Sequence, residues 1–255
     1  MNIQKFMRSK AGTFVLPFAA TVMLFVVWEL AVLIFKIPPF TLPSPSKIVQ
    51  ASIQFTPQLL AAGWRTLVTT LVGFALAIAT GVVLGFSIGY SRLAYLTLYP
   101  LLVGFNTIPK VALVPLLAVW FGANEIPAIL TAFLLAFFPI AVNVALGLDT
   151  VEPEMKDVLR ALGATQVEVF QKVGWPHTLP YLFASLKIAA SFAFVGSVIS
   201  ESVASNGGMG YLIVQASSSF DVPLAFAALL GLGILGIMLY GFFAVLEKYV
   251  IYWAR

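Results

Sequence analysis

The chain has no cysteine, one histidine, and only 9% charged residues among its 255. Without thiols it can form no disulfide and no thiolate metal site. A single histidine, His177, reads as an interface residue rather than a metal ligand or catalytic base. Soluble domains carry about a quarter charged residues, so a mean hydropathy of +1.02 excludes a water-bathed fold and makes lipid the solvent. Alternating ten-residue segments, the mark of an outer-membrane barrel, are missing too. Also absent are a G-x-x-x-x-G-K-[ST] run for cradling nucleotide phosphates, any paired carboxylates or nucleophile triad, and any internal repeat. We therefore expect no catalytic residues, no metal, no nucleic-acid partner, and no cofactor bound by this chain.

What remains is long apolar runs. At about 20 residues per span, six transmembrane helices fit. They are expected near Thr13–Phe35, Thr66–Tyr90, Tyr95–Phe121, Ile126–Leu148, Tyr181–Val203 and Pro223–Leu246. The third is interrupted by Pro100, Pro109 and Pro115. The fold class is all-α: a polytopic helical bundle forming one domain over 1–255. The first run lacks a cleavage site and reads as a retained span.

Lysine and arginine set the orientation. With the N-terminus inside, Lys5, Arg8, Lys10, Arg92, Lys156, Arg160, Lys172, Lys187, Lys248 and Arg255 fall in the cytoplasm, and only Lys36, Lys47 and Arg65 fall outside. Both termini are thus cytoplasmic. An outer proline-rich loop, Ile37–Ser46, is followed by a short surface helix. Ser44 serves as its N-cap and Pro45 as its first residue. Gly81, Gly85 and Gly89 share one face of the second span. They permit close approach of a neighbouring helix, either within the chain or in a second subunit.

Charge is concentrated in one place. Five of the ten acids lie between Asp149 and Glu168. The segment about 149–180 reads as two short helices turning at Gly163-Ala164, the second capped by Thr165 with Glu168 three residues on. Pro176 and Pro180 are expected to end it before the fifth span. An interfacial helix on anionic headgroups would present a basic face. Here Glu154, Asp157 and Glu168 oppose Lys156, Arg160 and Lys172, a mixture suited to a protein partner.

Three residues inside the apolar runs invite a pathway reading. Asn106 and Lys110 lie mid-span, where an ionised group is costly unless it faces water or a counter-charge. Lys110 either lines a cavity and draws an anion, snorkels, or pairs with an acid. Glu201, at the outer end of the fifth span, either faces the mouth or pairs with Lys110 or Arg65. Glu29 reads as a packing or pairing group, and Lys187 as snorkelling. Asn206–Gly210 reads as a glycine-rich turn leading into a re-entrant helix over Tyr211–Ala216.

The charged segment resembles the cytoplasmic coupling loop of permease subunits of ATP-binding-cassette (ABC) importers. That pattern is Glu-Ala-Ala, three residues, Gly, nine residues, Ile, any residue, Leu-Pro. Here it reads Asp157-Val158-Leu159, Gly163, then Val173, Gly174, Trp175 and Pro176. The glycine and proline match and the acid matches in kind; both alanines, the isoleucine and the leucine differ. Arg160–Ala164, Leu42–Pro45, Ile108–Leu116 and Glu201…Ala204-Ser205-Asn206…Gly208–Leu212 resemble the nitrate/sulfonate/taurine branch, over most of the chain.

The resemblance implies a type I importer permease fold in a bacterial inner membrane. Asp157, Arg160, Ala161, Gly163, Ala164, Glu168 and Pro176 would couple to an ABC ATPase, which binds ATP and Mg. Asn106, Lys110 and Glu201 are path residues under this reading. A second permease copy (a homodimer) and an extracytoplasmic binding protein complete the assembly. The cargo is expected to be a small anion of sulfonate, taurine, nitrate or aromatic carboxylate type. The alternatives are a vitamin or precursor such as a thiamine pyrimidine or riboflavin, or an ion-coupled secondary transporter.

Overall fold

A computed structural model describes residues 10–253; Lys5, Arg8 and Arg255 of the charge pattern lie outside them. The described residues form eleven α-helices with no strand: α1 (Lys10–Ile34), α2 (Pro45–Gln54), α3 (Thr56–Tyr90), α4 (Arg92–Thr107), α5 (Val114–Phe121), α6 (Ile126–Asp149), α7 (Pro153–Ala161), α8 (Gln166–Val169), α9 (Trp175–Ala204), α10 (Met209–Ser218) and α11 (Val222–Val250). Five helical runs are long and apolar enough to cross a membrane. Counted as one span, α4 and the Lys110–Phe121 stretch, bent by 76°, bring the number to six.

Two boundaries differ from expectation. Helix α3 starts at Thr56 rather than Thr66, because Pro57 fits a helix's first turn and the following Leu59, Leu60 and Trp64 continue it. Arg65 is therefore a helical residue. The fifth span starts at Trp175, not Tyr181, and Pro176 and Pro180 do not end the segment before it. A π-helical turn, Phe170–Gly174, joins α8 to α9 without a break. Its wider bonding register places the N–H that Pro176 lacks at the join, where the ladder is already changing.

One packing unit comprises residues 10–59 and Ile213–Leu230. Ile48 and Ala51 of α2 bury against Ala227, with Trp28 and Phe226 beside them. Ser44 occupies the N-cap of α2 with extended backbone, yet its side chain makes no cap bond. The carboxylate of Glu29 takes that role: it accepts from Ser46 N at 2.9 Å and Ser46 Oγ at 2.7 Å. An acid at a helix N-terminus satisfies orphan N–H groups and complements the dipole.

The other unit comprises Leu60–Leu212 and residues 231–253. Its most extensive pairing is α6 on α9, through small residues such as Ala132, Ala136, Ala189 and Ala193, each fully buried. The glycines of α3 resolve in favour of packing within the chain. A β-carbon at Gly81 would lie 2.9 Å from Ile140 Cβ, and at Gly85 2.6 Å from Val144 Cβ. Gly73 and Gly89 extend this seam along α6. Lys187 does not snorkel; its ammonium donates to Glu247 at 2.7 Å.

Candidate functional site

The charged segment is built as two capped helices. Helix α7 opens at Pro153 and closes in a Schellman motif. Gly163 N donates to Arg160 O at 2.9 Å, and Ala164 N donates to Leu159 O at 3.0 Å. This geometry requires Gly163 at φ +82°, a region costly for any residue with a β-carbon. Nothing lies within 4 Å of a β-carbon built there, so conformation alone selects the glycine. Thr165 and Glu168 form the expected capping box: Glu168 N donates to Thr165 Oγ1 at 3.3 Å, and Thr165 N donates to Glu168 Oε2 at 2.8 Å.

Asp157 and Arg160 pair on the exposed flank at 3.1 Å. Ala161 is exposed, Ala164 is half-buried, and Pro176 is half-buried one residue into α9. Around them Met155, Val158, Leu162 and Val167 are exposed, Leu162 at 78%. Met155, Val158 and Leu162 recur at spacings of three and four, so they share one side of the segment. The underside is held by aromatic contacts between this segment and the end of α3. Phe170 stands edge-on to Phe86 at 5.3 Å, Trp175 lies 5.4 Å from Phe86, and Phe170 meets Tyr90 at 6.2 Å. Their proximity joins positions about eighty residues apart, which no local pattern discloses.

The broken span is a second site. Helix α4 ends at Thr107, residues Ile108 and Pro109 are extended, and a 3-10 turn follows over Lys110–Leu113. Lys110 is buried, and its ammonium donates to Asn106 O at 3.0 Å and Asn106 Oδ1 at 2.7 Å. It neither snorkels nor pairs with an acid. A cation placed at the end of α4 satisfies carbonyls that the break leaves open. Asn106 itself is exposed, and α4 buries none of its residues within the chain.

The third site centres on Glu201, only 2% exposed. Its carboxylate accepts from Thr66 Oγ1 at 2.7 Å, Thr69 Oγ1 at 3.2 Å, Ser197 Oγ at 3.5 Å and Gly210 N at 3.1 Å. Thr66 Oγ1 in turn accepts from Met209 N at 2.8 Å. The first two N–H groups of α10 are thus satisfied by side chains from α3 and α9. The structure does not bring Glu201 to Lys110 or Arg65 as an ion pair; among the described residues the ion pairs are Asp157–Arg160 and Lys187–Glu247. Gly207 and Gly208 run between Arg65 and Glu201. A β-carbon on Gly207 would fall on the Arg65 guanidinium, and one on Gly208, at φ +95°, on the Glu201 carboxyl group. A helix runs over Met209–Ser218, two residues longer at each end than the expected Tyr211–Ala216.

Membrane-length helices, one broken in its middle and two joined by a capped amphipathic segment, place the chain among polytopic α-helical membrane proteins. Residues 77–252 match the family described as binding-protein-dependent transport system inner membrane component. The chain belongs to that family: it is the permease subunit of an ABC importer, and ATP hydrolysis resides in a separate subunit.

Over 234 residues it is 32% identical to the formylaminopyrimidine transport permease protein of Halalkalibacterium halodurans, covering 91% of this chain and 93% of that one. It is also 32% identical to the riboflavin transport system permease protein of Chloroflexus aurantiacus, over 91% and 87% of the two chains. To the nitrate import permease protein of Synechocystis sp. it is 30% identical, over 74% and 68%. A solved chain of the MetNI methionine ABC transporter superposes with a TM-score of 0.62 at 24% identity, over 75% of this chain and 96% of that one; this likeness bears on the fold alone. The sequence-based expectation of a type I permease fold agrees with it.

Proposed function

We propose that this chain acts as a single domain over residues 1–255 and that two copies line one path through a bacterial inner membrane, with both termini cytoplasmic. The loop about 149–180 docks an ABC ATPase that binds ATP and Mg, and an extracytoplasmic binding protein delivers cargo. Asp157, Arg160, Ala161, Gly163, Ala164, Glu168 and Pro176 form or shape the docking knob. One observation carries this reading: a rigidly capped segment exposes Met155, Val158, Leu162 and Val167 beside an ion pair, the mixed surface that suits a protein partner. The charge count of the loops supports its cytoplasmic side.

The cargo is a small anion, with Asn106, Lys110 and Glu201 serving the path. Lys110 supports this as a buried cation at the break of a mid-membrane helix, and Glu201 acts from its buried place by fixing α10. A second reading, import of a neutral vitamin precursor, is favoured by the formylaminopyrimidine and riboflavin relatives.

One experiment addresses docking and cargo together. The permease is co-expressed with its candidate ATPase and binding protein and reconstituted in vesicles. Asp157→Lys and Gly163→Pro are expected to lower ATPase retention at least about tenfold, from lost charge complementarity and a lost Schellman turn. ATPase retention unchanged in both variants, or uptake without any ATPase, rejects the docking role. Radiolabelled taurine and formylaminopyrimidine in the same vesicles separate the two cargo readings: uptake of the pyrimidine but of no anion rejects the anionic one.

A further inference from the structure

A cavity of about 240 Å³ lies beneath α7, between that helix and the ends of α3 and α6. Liquid water occupies about 30 Å³ per molecule, so the space holds a polyatomic ion with several waters. Lys156 and Arg160 line it. They stand four residues apart on α7, hence on one face. Lys156 is half-buried and has no hydrogen-bond or ion-pair partner among the described residues. Arg160 gives one nitrogen to Asp157 at 3.1 Å, which leaves the other donors of its fork free. No carboxylate lines the cavity, and its far wall is Gly89, Tyr90, Leu148 and Gly174.

Two cations share one concave space whose lining holds no carboxylate, so they repel each other there, and Lys156 has no counter-charge of its own, Arg160 having Asp157 on the exposed flank. An oxyanion relieves the repulsion and meets the guanidinium with matched geometry. Depth narrows the choice further. Helix α3 ends at Tyr90 and α6 at Asp149, so the cavity sits where apolar spans stop and phospholipid headgroups begin. Basic pockets between helix ends at this level take phosphate-bearing headgroups.

We propose that this cavity binds one phosphate-bearing anion, with Lys156 and Arg160 as its charged ligands. The phosphate belongs either to an anionic phospholipid or to a free ion in the adjoining water. The proposal concerns binding and does not depend on whether α7 docks an ATPase.

The test uses the full chain in phosphatidylcholine nanodiscs. Native mass spectrometry after doping with phosphatidylglycerol counts retained lipid, and equilibrium dialysis with labelled inorganic phosphate measures the free ion. One equivalent of one probe is expected, and which probe binds identifies the source. Lys156→Gln is expected to weaken it at least about tenfold, since a charge-assisted bond is lost. Lys156→Arg, which keeps the charge and checks that the fold survives, should hold it within about threefold. Binding of neither probe by the unaltered chain, equal binding by Lys156→Gln, or loss in a folded Lys156→Arg would each overturn the proposal.

Discussion

Replacing Gly208 with valine is expected to abolish recovery of folded permease from the membrane. Two costs fall on one position. At φ +95° a β-branched residue is a true conformational outlier. Its β-carbon would also land on the Glu201 carboxyl group, and Glu201 has nowhere to retreat at 2% exposure. Displacing that carboxylate strips the acceptor from Gly210 N, worth about 1–3 kcal/mol when buried and unmet, while Thr66 and Thr69 keep the backbone carbonyls and the Ser197 hydroxyl they already bond. Backbone strain, the clash and one unmet donor together cost about 4 kcal/mol or more, a large part of a domain's stability.

Glu201→Ala should cost less, because it leaves Gly210 N unmet and opens a cavity but forces no clash. Glu201→Gln should be milder, near 1–2 kcal/mol, since an amide oxygen still accepts from Gly210 while its NH2 faces hydroxyls able to accept. Thermal midpoints in detergent, with protease cleavage near α10, read the ranking. Equal stability of Glu201→Ala and the unaltered protein would refute the anchoring role.

Gly85→Leu should be nearly as damaging, at about 3 kcal/mol, for a different reason. A β-carbon there lies 2.6 Å from Val144 Cβ and 2.7 Å from Ala141 O, so backbone rather than a yielding side-chain tip stands in the way. Helices in lipid associate by close packing, without a hydrophobic force to compensate for separation. Forcing α3 off α6 therefore forfeits the seam from Gly73 to Gly89. Gly241→Leu on α11 is the control, since nothing lies within 4 Å of its β-carbon. Size-exclusion profiles and thermal midpoints of the two variants should diverge sharply; matching profiles would show that the seam does not need glycine.

Much of this fold is legible in the sequence, because a bilayer demands long uninterrupted apolar runs. The fourth span, expected over Ile126–Leu148, is observed as Ile126–Asp149. The Thr165–Glu168 capping box and the Gly163 turn were legible too, since both are encoded within four residues. What stayed hidden depends on distant partners. Lys187 and Glu247 are sixty residues apart and find each other only once α9 and α11 are in place. Two of the donors around Glu201 come from α3, 135 positions away for Thr66 and 132 for Thr69. Glu29 displaced Ser44 as the cap of α2 because a folded neighbour delivered a better acceptor than the local hydroxyl. Pro176 and Pro180 misled because proline usually ends a helix, and a π turn is not visible in composition.

That π turn makes residues Gln166–Ala204 one helical run of 39 residues. At α-helical rise this is about 58 Å, so a tilt of about 5° pivoting at one end sweeps the other through about 5 Å. The capping box of Thr165 and Glu168 sits at its start, and Glu201, gripping the first turn of α10, sits three residues from its finish. No loop separates the capped segment from the Glu201 anchor, so whatever displaces one end is passed along helix rather than taken up by slack chain.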